Sequence, residues 1–125
     1  MVRVRARGIE GKRERKRARL SSARKKIREL KKRLERIGLK QKVLAFNHEL
    51  IQFLDLEGMI HLAEVIVEGG LARKESRGSH FRTDYPERND RNWLRHTVAF
   101  RTPEGPRLEY KDVTITNYPP EKRTY

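Results

Sequence analysis

The chain has 125 residues, of which 31 are Lys or Arg, 17 are Asp or Glu and none is cysteine, for a formal net charge of +14. That length gives one small domain with at most an appendage and excludes a two-domain oxidoreductase, while the missing cysteines exclude disulfides, thiolate chemistry and sulfur-held zinc or iron–sulfur centres. With 35% apolar and 38% charged residues the core must be modest. No stretch nears the about 20 apolar residues of a membrane span, and the basic start does not read as a signal peptide, so the expected location is the cytoplasm.

The charge divides the chain. Residues 1–42 hold 19 bases against 4 acids, a net of +15, whereas the remainder nets −1. Within that third, residues 1–20 are expected to form a basic arm, disordered or weakly helical, because Arg13, Arg15, Lys16, Arg17 and Arg19 crowd like charges with almost nothing to bury. This cluster is the candidate polyanion-binding site, suited to phosphate backbones without sequence readout. The alternative is a solvated face, since no aromatic is interleaved for base stacking and the apolar stripe lacks the Trp or Phe of a membrane-surface helix.

From Ser21 the pattern changes. Ala23, Ile27, Leu30, Leu34 and Ile37 recur at steps of four and three, predicting a helix over about 22–37, capped by Ser21 or Ser22 and stopped at Gly38. Asn47 is set to cap a second helical stretch over about 48–76, in which Leu50, Ile51, Leu54, Met59, Leu62, Ile66 and Leu71 keep helical spacing. Gly58 could kink it, and the pair Gly69-Gly70 asks for close approach of another backbone. Beyond Gly78 the period becomes two: Leu94, His96, Val98 and Phe100 alternate with Trp93, Arg95, Thr97 and Ala99. The turn at residues 102–106 and the run Leu108, Tyr110, Val113, Ile115 complete a hairpin over about 93–116, followed by an extended tail, 117–125, after Pro119-Pro120. The fold class is therefore mostly α, a small helical bundle followed by a β-hairpin and an extended C-terminal tail. An isolated hairpin is marginal in water, so it must pack on the helices or on a partner.

No catalytic, cofactor-binding or metal-ligating residue emerges from the motifs. His48, His61, His80 and His96 lack metal-type spacing, and neither a dinucleotide glycine motif nor a P-loop occurs. Ser79, His80 and Asp84 are neighbours in sequence, which is not evidence of a nucleophile held by a base. The dense segment is residues 71–90, where Arg73, Glu75, Ser76, Arg77, His80, Arg82 and Asp84 leave a helix end and enter extended chain. Arginines there can satisfy helix carbonyls and hold carboxylates bidentately. Such a segment suits docking one domain on another, and an internal salt-bridge cluster is the alternative.

The run ARKESRGSHFRTDYPERND, followed by Asn92-Trp93-Leu94-Arg95-His96-Thr97, resembles the C-terminal domain of the succinate dehydrogenase and fumarate reductase flavoprotein subunit, a domain shared with L-aspartate oxidase. The likeness extends from about residue 22 through the hairpin to the ending Pro119-Pro120-Glu121-Lys122-Arg123-Thr124-Tyr125. It implies a helical bundle whose hairpin and tail clasp a flavin-binding domain, with FAD held in that other domain and electrons passed to an iron–sulfur subunit. The residues that bind flavin and dicarboxylate in the family have no counterpart here, so the resemblance implies a detached, non-catalytic docking or structural module, whether fragment, split subunit or paralogue. It assigns interdomain docking to Arg73, Glu75, Ser76, Arg77, His80, Arg82 and Asp84. The implied partners are a flavin-binding domain or iron–sulfur subunit, with a place at the cytoplasmic face of the membrane through that complex. Self-association is expected if the stripe Ile27, Leu30, Leu34, Ile37 lacks a neighbour, and nucleic acid is the alternative partner.

Overall fold

A computed structural model describes residues 3–121, with side chains from Arg19 onward. Its elements are α1 (Arg3–Leu34), α2 (His48–Ala72), the single turn α3 (Asp90–Trp93), and strands β1 (Arg95–Thr102) and β2 (Gly105–Asp112). The mostly helical class, with its hairpin, is as the sequence implies.

Helix α1 departs from expectation at both ends. It runs unbroken through Ser21 and Ser22 back to Arg3, so the change of composition near residue 20 is no break in the backbone, and neither serine is a cap. It stops at Leu34 instead of reaching Ile37. Arg36 and Ile37 then donate to the carbonyls of Arg33 and Leu34 at 3.1 and 3.0 Å in a tightened last turn. Gly38 is not the left-handed stop: among the described residues only Phe46, Gly78 and Gly105 have positive φ. Ala23, Ile27, Leu30 and Leu34 are half-buried as one stripe, while Ile37 lies beyond the helix and exposed.

Helix α2 starts where Asn47 places it. The Asn47 side-chain oxygen accepts from the Leu50 N–H at 2.9 Å, and its amide donates to the Gln41 and Val43 carbonyls at 3.0 and 2.7 Å. One buried residue thus caps the helix and folds the preceding loop onto it. Glu49 accepts from the Lys40 and Gln41 N–H groups in the same loop. The helix passes Gly58 without a break and ends at Ala72, four residues short of the expected limit.

Helices α1 and α2 pack antiparallel. Leu20 lies against Gly70, Arg24 and Arg28 pair with Glu68 at 3.7 and 3.6 Å, and Lys31 donates to Glu64 at 2.6 Å. The close backbone approach expected at Gly69-Gly70 is absent among the described residues: a Cβ on Gly70 would sit in ordinary contact, 3.8 Å from His80 and 3.9 Å from Leu20, and one on Gly69 would meet nothing within 4 Å. The hairpin is antiparallel, with Arg95 opposite Asp112 and Thr102 opposite Gly105, so Pro103 and Glu104 form a two-residue loop. Gly105, at φ 124°, takes a conformation that L side chains rarely adopt. The hairpin rests on α2, where a Cβ on Gly105 would lie 3.4 Å from the Glu64 carboxylate. At its base Trp93 meets Tyr110 edge-to-face at 5.5 Å. The tail is pinned by Arg88, which donates to the Glu121 and Pro120 carbonyls; residues 122–125 of the expected tail lie outside the described residues.

Among the described residues Ile60 is the one buried apolar side chain, whereas Asn47, Glu64, Glu75 and Arg82 are buried and polar. Such a fold leans on satisfied polar networks, because a buried polar group left without partners costs free energy.

Candidate docking site

The segment after α2 is built around two buried charges. Glu75 is completely buried. Its carboxylate accepts from Arg73, from Arg77 Nε at 2.9 Å and Nη2 at 3.2 Å, and from the Asn89 N–H at 2.9 Å. Burial by itself pushes the Glu75 carboxyl up, but the Arg77, Asn89 and Arg73 hydrogen bonds outweigh it and hold the group below the usual carboxylate range. Arg73 spends its other donors on the Trp93 carbonyl at 2.9 Å, the Arg95 carbonyl at 2.6 Å and Thr97, and its guanidinium lies 5.3 Å from the Trp93 ring centroid. One arginine thereby ties the end of α2 to α3 and to β1.

The second charge is Arg82, 4% exposed. Its Nη1 donates to the carbonyls of Gly70, Leu71 and Arg73 at 3.0, 2.8 and 2.9 Å, the acceptors that the last turn of α2 leaves without intrahelical partners. Nε and Nη2 grip the Asp84 carboxylate as a fork, and the guanidinium stacks 4.8 Å from the Tyr85 ring centroid. A positive group at the negative end of the helix dipole is favourable there. Ser76 closes the loop: its Oγ accepts from the Arg82 N–H at 2.8 Å and donates to the Tyr85 carbonyl at 2.7 Å.

His80 exchanges backbone hydrogen bonds with Arg77 at 2.8 and 3.0 Å around Gly78, whose φ of 56° makes the tight turn. Burial, against a backbone hydrogen bond with Arg73, holds the His80 imidazole below its ordinary pKa, and its Nε2 has no hydrogen-bond partner among the described residues. Asp90 is held low by the hydrogen bond from Arg77, and Arg88 pairs with it at 2.7 Å.

The seven residues singled out as docking residues thus come together, with their charged groups aimed at one another and at backbone. Sequence reasoning missed Asn89, Asp90 and Trp93 as members of the network. The signal for Asn89 was its position before a short acidic turn, where its side chain caps α3 by accepting from the Asn92 N–H at 3.1 Å. Of the polyanion candidates, Arg19 is exposed on α1; Arg13, Arg15, Lys16 and Arg17 lie in the same helix, with side chains outside the described residues. No glycine fingerprint joins a strand to a helix, and the described strands form one antiparallel hairpin instead of a parallel sheet.

A pair of antiparallel helices, an arginine-and-glutamate knot at the end of α2 and a hairpin resting on α2 define a mostly helical domain. The chain matches the family described as fumarate reductase flavoprotein C-term over residues 12–125, and it belongs to that family. The match begins earlier than the expected residue 22, inside the segment read from sequence as an arm. The chain is 45% identical over 107 residues to the fumarate reductase flavoprotein subunit of Mycobacterium tuberculosis, an alignment covering 85% of this chain and 18% of that protein. It is 39% identical over 107 residues to the succinate dehydrogenase flavoprotein subunit of Rickettsia conorii, covering 79% of this chain and 18% of that one. Among solved structures, an E. coli quinol fumarate reductase variant superposes with a TM-score of 0.77 at 40% identity, covering 82% of this chain and 18% of that chain. The chain therefore spans about a fifth of the length of the relatives it matches. No described helix is long and apolar enough to cross a membrane.

Proposed function

We propose that the chain is a docking and structural module of an FAD-dependent oxidoreductase of the succinate dehydrogenase and fumarate reductase type, contributing no catalytic group of its own. The observation that supports this reading is the match to the fumarate reductase flavoprotein C-term family over residues 12–125, with 39–45% identity to flavoprotein subunits over about four-fifths of this chain. The partner is the flavin-binding part of such a protein, FAD belongs to that part, and the iron–sulfur subunit is the next neighbour in the electron path. Activity then resides in the assembled complex, at the cytoplasmic face of the membrane. The test is to purify the chain, add FAD and succinate with an electron acceptor, and look for bound flavin or turnover. Neither is expected, and either would refute the non-catalytic reading.

A second reading rests on α1, a continuous 32-residue helix dominated by Lys and Arg. At about 1.5 Å per residue it extends roughly 48 Å, which suits a run of backbone phosphates. A salt titration on duplex DNA and RNA decides it: binding that is negligible at physiological salt, or unchanged by charge-neutralising substitutions at Arg13, Arg15, Lys16 and Arg17, refutes this role.

A further inference from the structure

Helix α2 buries one face and leaves an apolar face bare. At 100° per residue, Gly58, Leu62 and Gly69 fall within about 20° of Ile51, opposite the buried Ile60 and Glu64. Leu54, Met59 and Ile66 flank that line. Ile51, Met59, Leu62 and Ile66 are 56, 67, 61 and 63% exposed, a continuous stripe that soluble proteins seldom leave uncovered. Asp55 is the stripe's charged neighbour on the same face.

The two glycines sharpen this. A Cβ on Gly58 or Gly69 would meet nothing within 4 Å, unlike Gly70, which faces Leu20 and His80. Glycine weakens a helix interior, and nothing among the described residues compensates for it at either position. Gly58 is exposed, whereas Gly69 is half-buried beside the hairpin's Thr97, Ala99 and Leu108; eleven residues apart on one apolar line, the two leave room for a second backbone to lie close along α2. Just before the helix, Phe46 is 96% exposed at φ 54°, a conformation that non-glycine residues rarely hold.

We infer that the bare α2 face, centred on Gly58, Leu62 and Gly69, is the surface on which the flavin-bearing part of a fumarate reductase-type flavoprotein docks, through a closely packed backbone element. This rests on the docking reading above and relocates the contact, from the arginine–glutamate knot to α2. The relatives carry about four-fifths of their length outside the matched C-terminal part, which supplies the occupant. A second copy of this chain is the poorer occupant, since each carries a net charge of +14 and two such chains repel.

The test replaces the matched C-terminal part of the E. coli fumarate reductase flavoprotein subunit with this chain's residues 12–125, and reads soluble yield and bound flavin in the assembled enzyme. Gly58→Leu and Gly69→Leu are introduced there and, in parallel, in the full 125-residue chain alone. The expected result is that the isolated variants melt no lower than the parent, while flavin-loaded chimera falls by about tenfold or more. Arg91→Leu, on exposed α3, should leave both unchanged. A parent chimera that yields no flavin-loaded protein refutes the docking reading itself. A working parent whose glycine variants work equally well refutes the assignment to α2 alone. A parent chain that is dimeric in isolation, and made monomeric by either substitution, gives the face to a second copy and overturns the inference.

Discussion

Replacing Arg82 with alanine removes the group that joins α2 to the loop after it. The side chain is 4% exposed and makes three hydrogen bonds of 2.8–3.0 Å to the Gly70, Leu71 and Arg73 carbonyls, besides its fork on Asp84. Charged hydrogen bonds contribute about 1.5–3 kcal/mol each when deleted singly, but bonds from one guanidinium are not additive. Removing one partner of a buried ion pair costs about 3–5 kcal/mol, because the other partner and its neighbours lose their donor, and that range sets the expectation for Arg82→Ala. Arg82→Lys keeps the charge but not the fork, since an ammonium cannot serve three carbonyls and both carboxylate oxygens at once; about 1.5–3 kcal/mol is expected. Urea unfolding followed by Trp93 fluorescence and far-UV circular dichroism measures both. With a slope of about 1.5 kcal/mol/M, the alanine variant moves the midpoint by about 2 M or more. Arg91→Ala, an exposed residue of α3, serves as the control and should stay within about 0.5 kcal/mol. A loss below about 1 kcal/mol for Arg82→Ala would show that the α2 carbonyls are satisfied without the guanidinium, and the account of the knot would fail.

Asn47→Ala is expected to cost about 1–2 kcal/mol, since it removes both the α2 cap and the two bonds that hold residues 41–43, and Asn47→Asp should recover part of the loss by restoring the cap acceptor alone; equal losses in the two variants would assign the effect to the loop. Acidification should destabilise the fold in two steps. The His80 pKa is depressed in the folded state, so its contribution is complete above the unfolded value near 6.5 and is lost as pH falls from there through the folded value. Glu75 is depressed likewise, and its contribution is present above about 4.5 and lost as pH falls through its own folded value. Urea midpoints measured from about pH 8 down to about pH 2 should show both declines, and His80→Gln should abolish the upper one; a variant that keeps the parent's slope below neutrality excludes His80 as its source.

Local grammar carried much of the fold in the sequence. Asn47 before an apolar helical run and Pro103-Glu104-Gly105 between alternating strands each specify their structure through a few neighbouring residues. The bounds of α1 were hidden for the converse reason. Ser21-Ser22 is a cap in one context and an ordinary helical pair in another, and the local pattern cannot choose when helix continues on both sides. The Arg73–Asp84 segment was legible as a set of partners and illegible in direction. Alternating bases and acids announce pairing, but whether a guanidinium reaches its neighbour's carboxylate or another molecule depends on the fold, and here Glu75 and Arg82 are drawn fully inside. The bare face of α2 was hidden for a third reason: Glu64 and Glu68 lie on the side that meets α1, where they pair with Lys31, Arg24 and Arg28, so the usual rule that polar residues face solvent points to the wrong face.

That inward turn bears on how this domain joins its protein. A docking surface made of Arg73, Arg77 and Arg82 would have to break hydrogen bonds that already satisfy Glu75, Asp90 and the end of α2, and the exchange would gain little over what it gives up. The stripe from Ile51 to Ile66 has no such internal claim on it, and burying exposed leucine, isoleucine and methionine side chains yields about 25 cal/mol for each Å² taken from water. Under the proposed docking through α2, the knot acts indirectly. By tying the end of α2 to α3, β1 and the loop at 71–85, it sets the direction of the helix that presents the apolar face. On this account Arg82→Ala weakens docking only as far as it unfolds the domain, whereas Gly69→Leu blocks docking in a domain that remains folded.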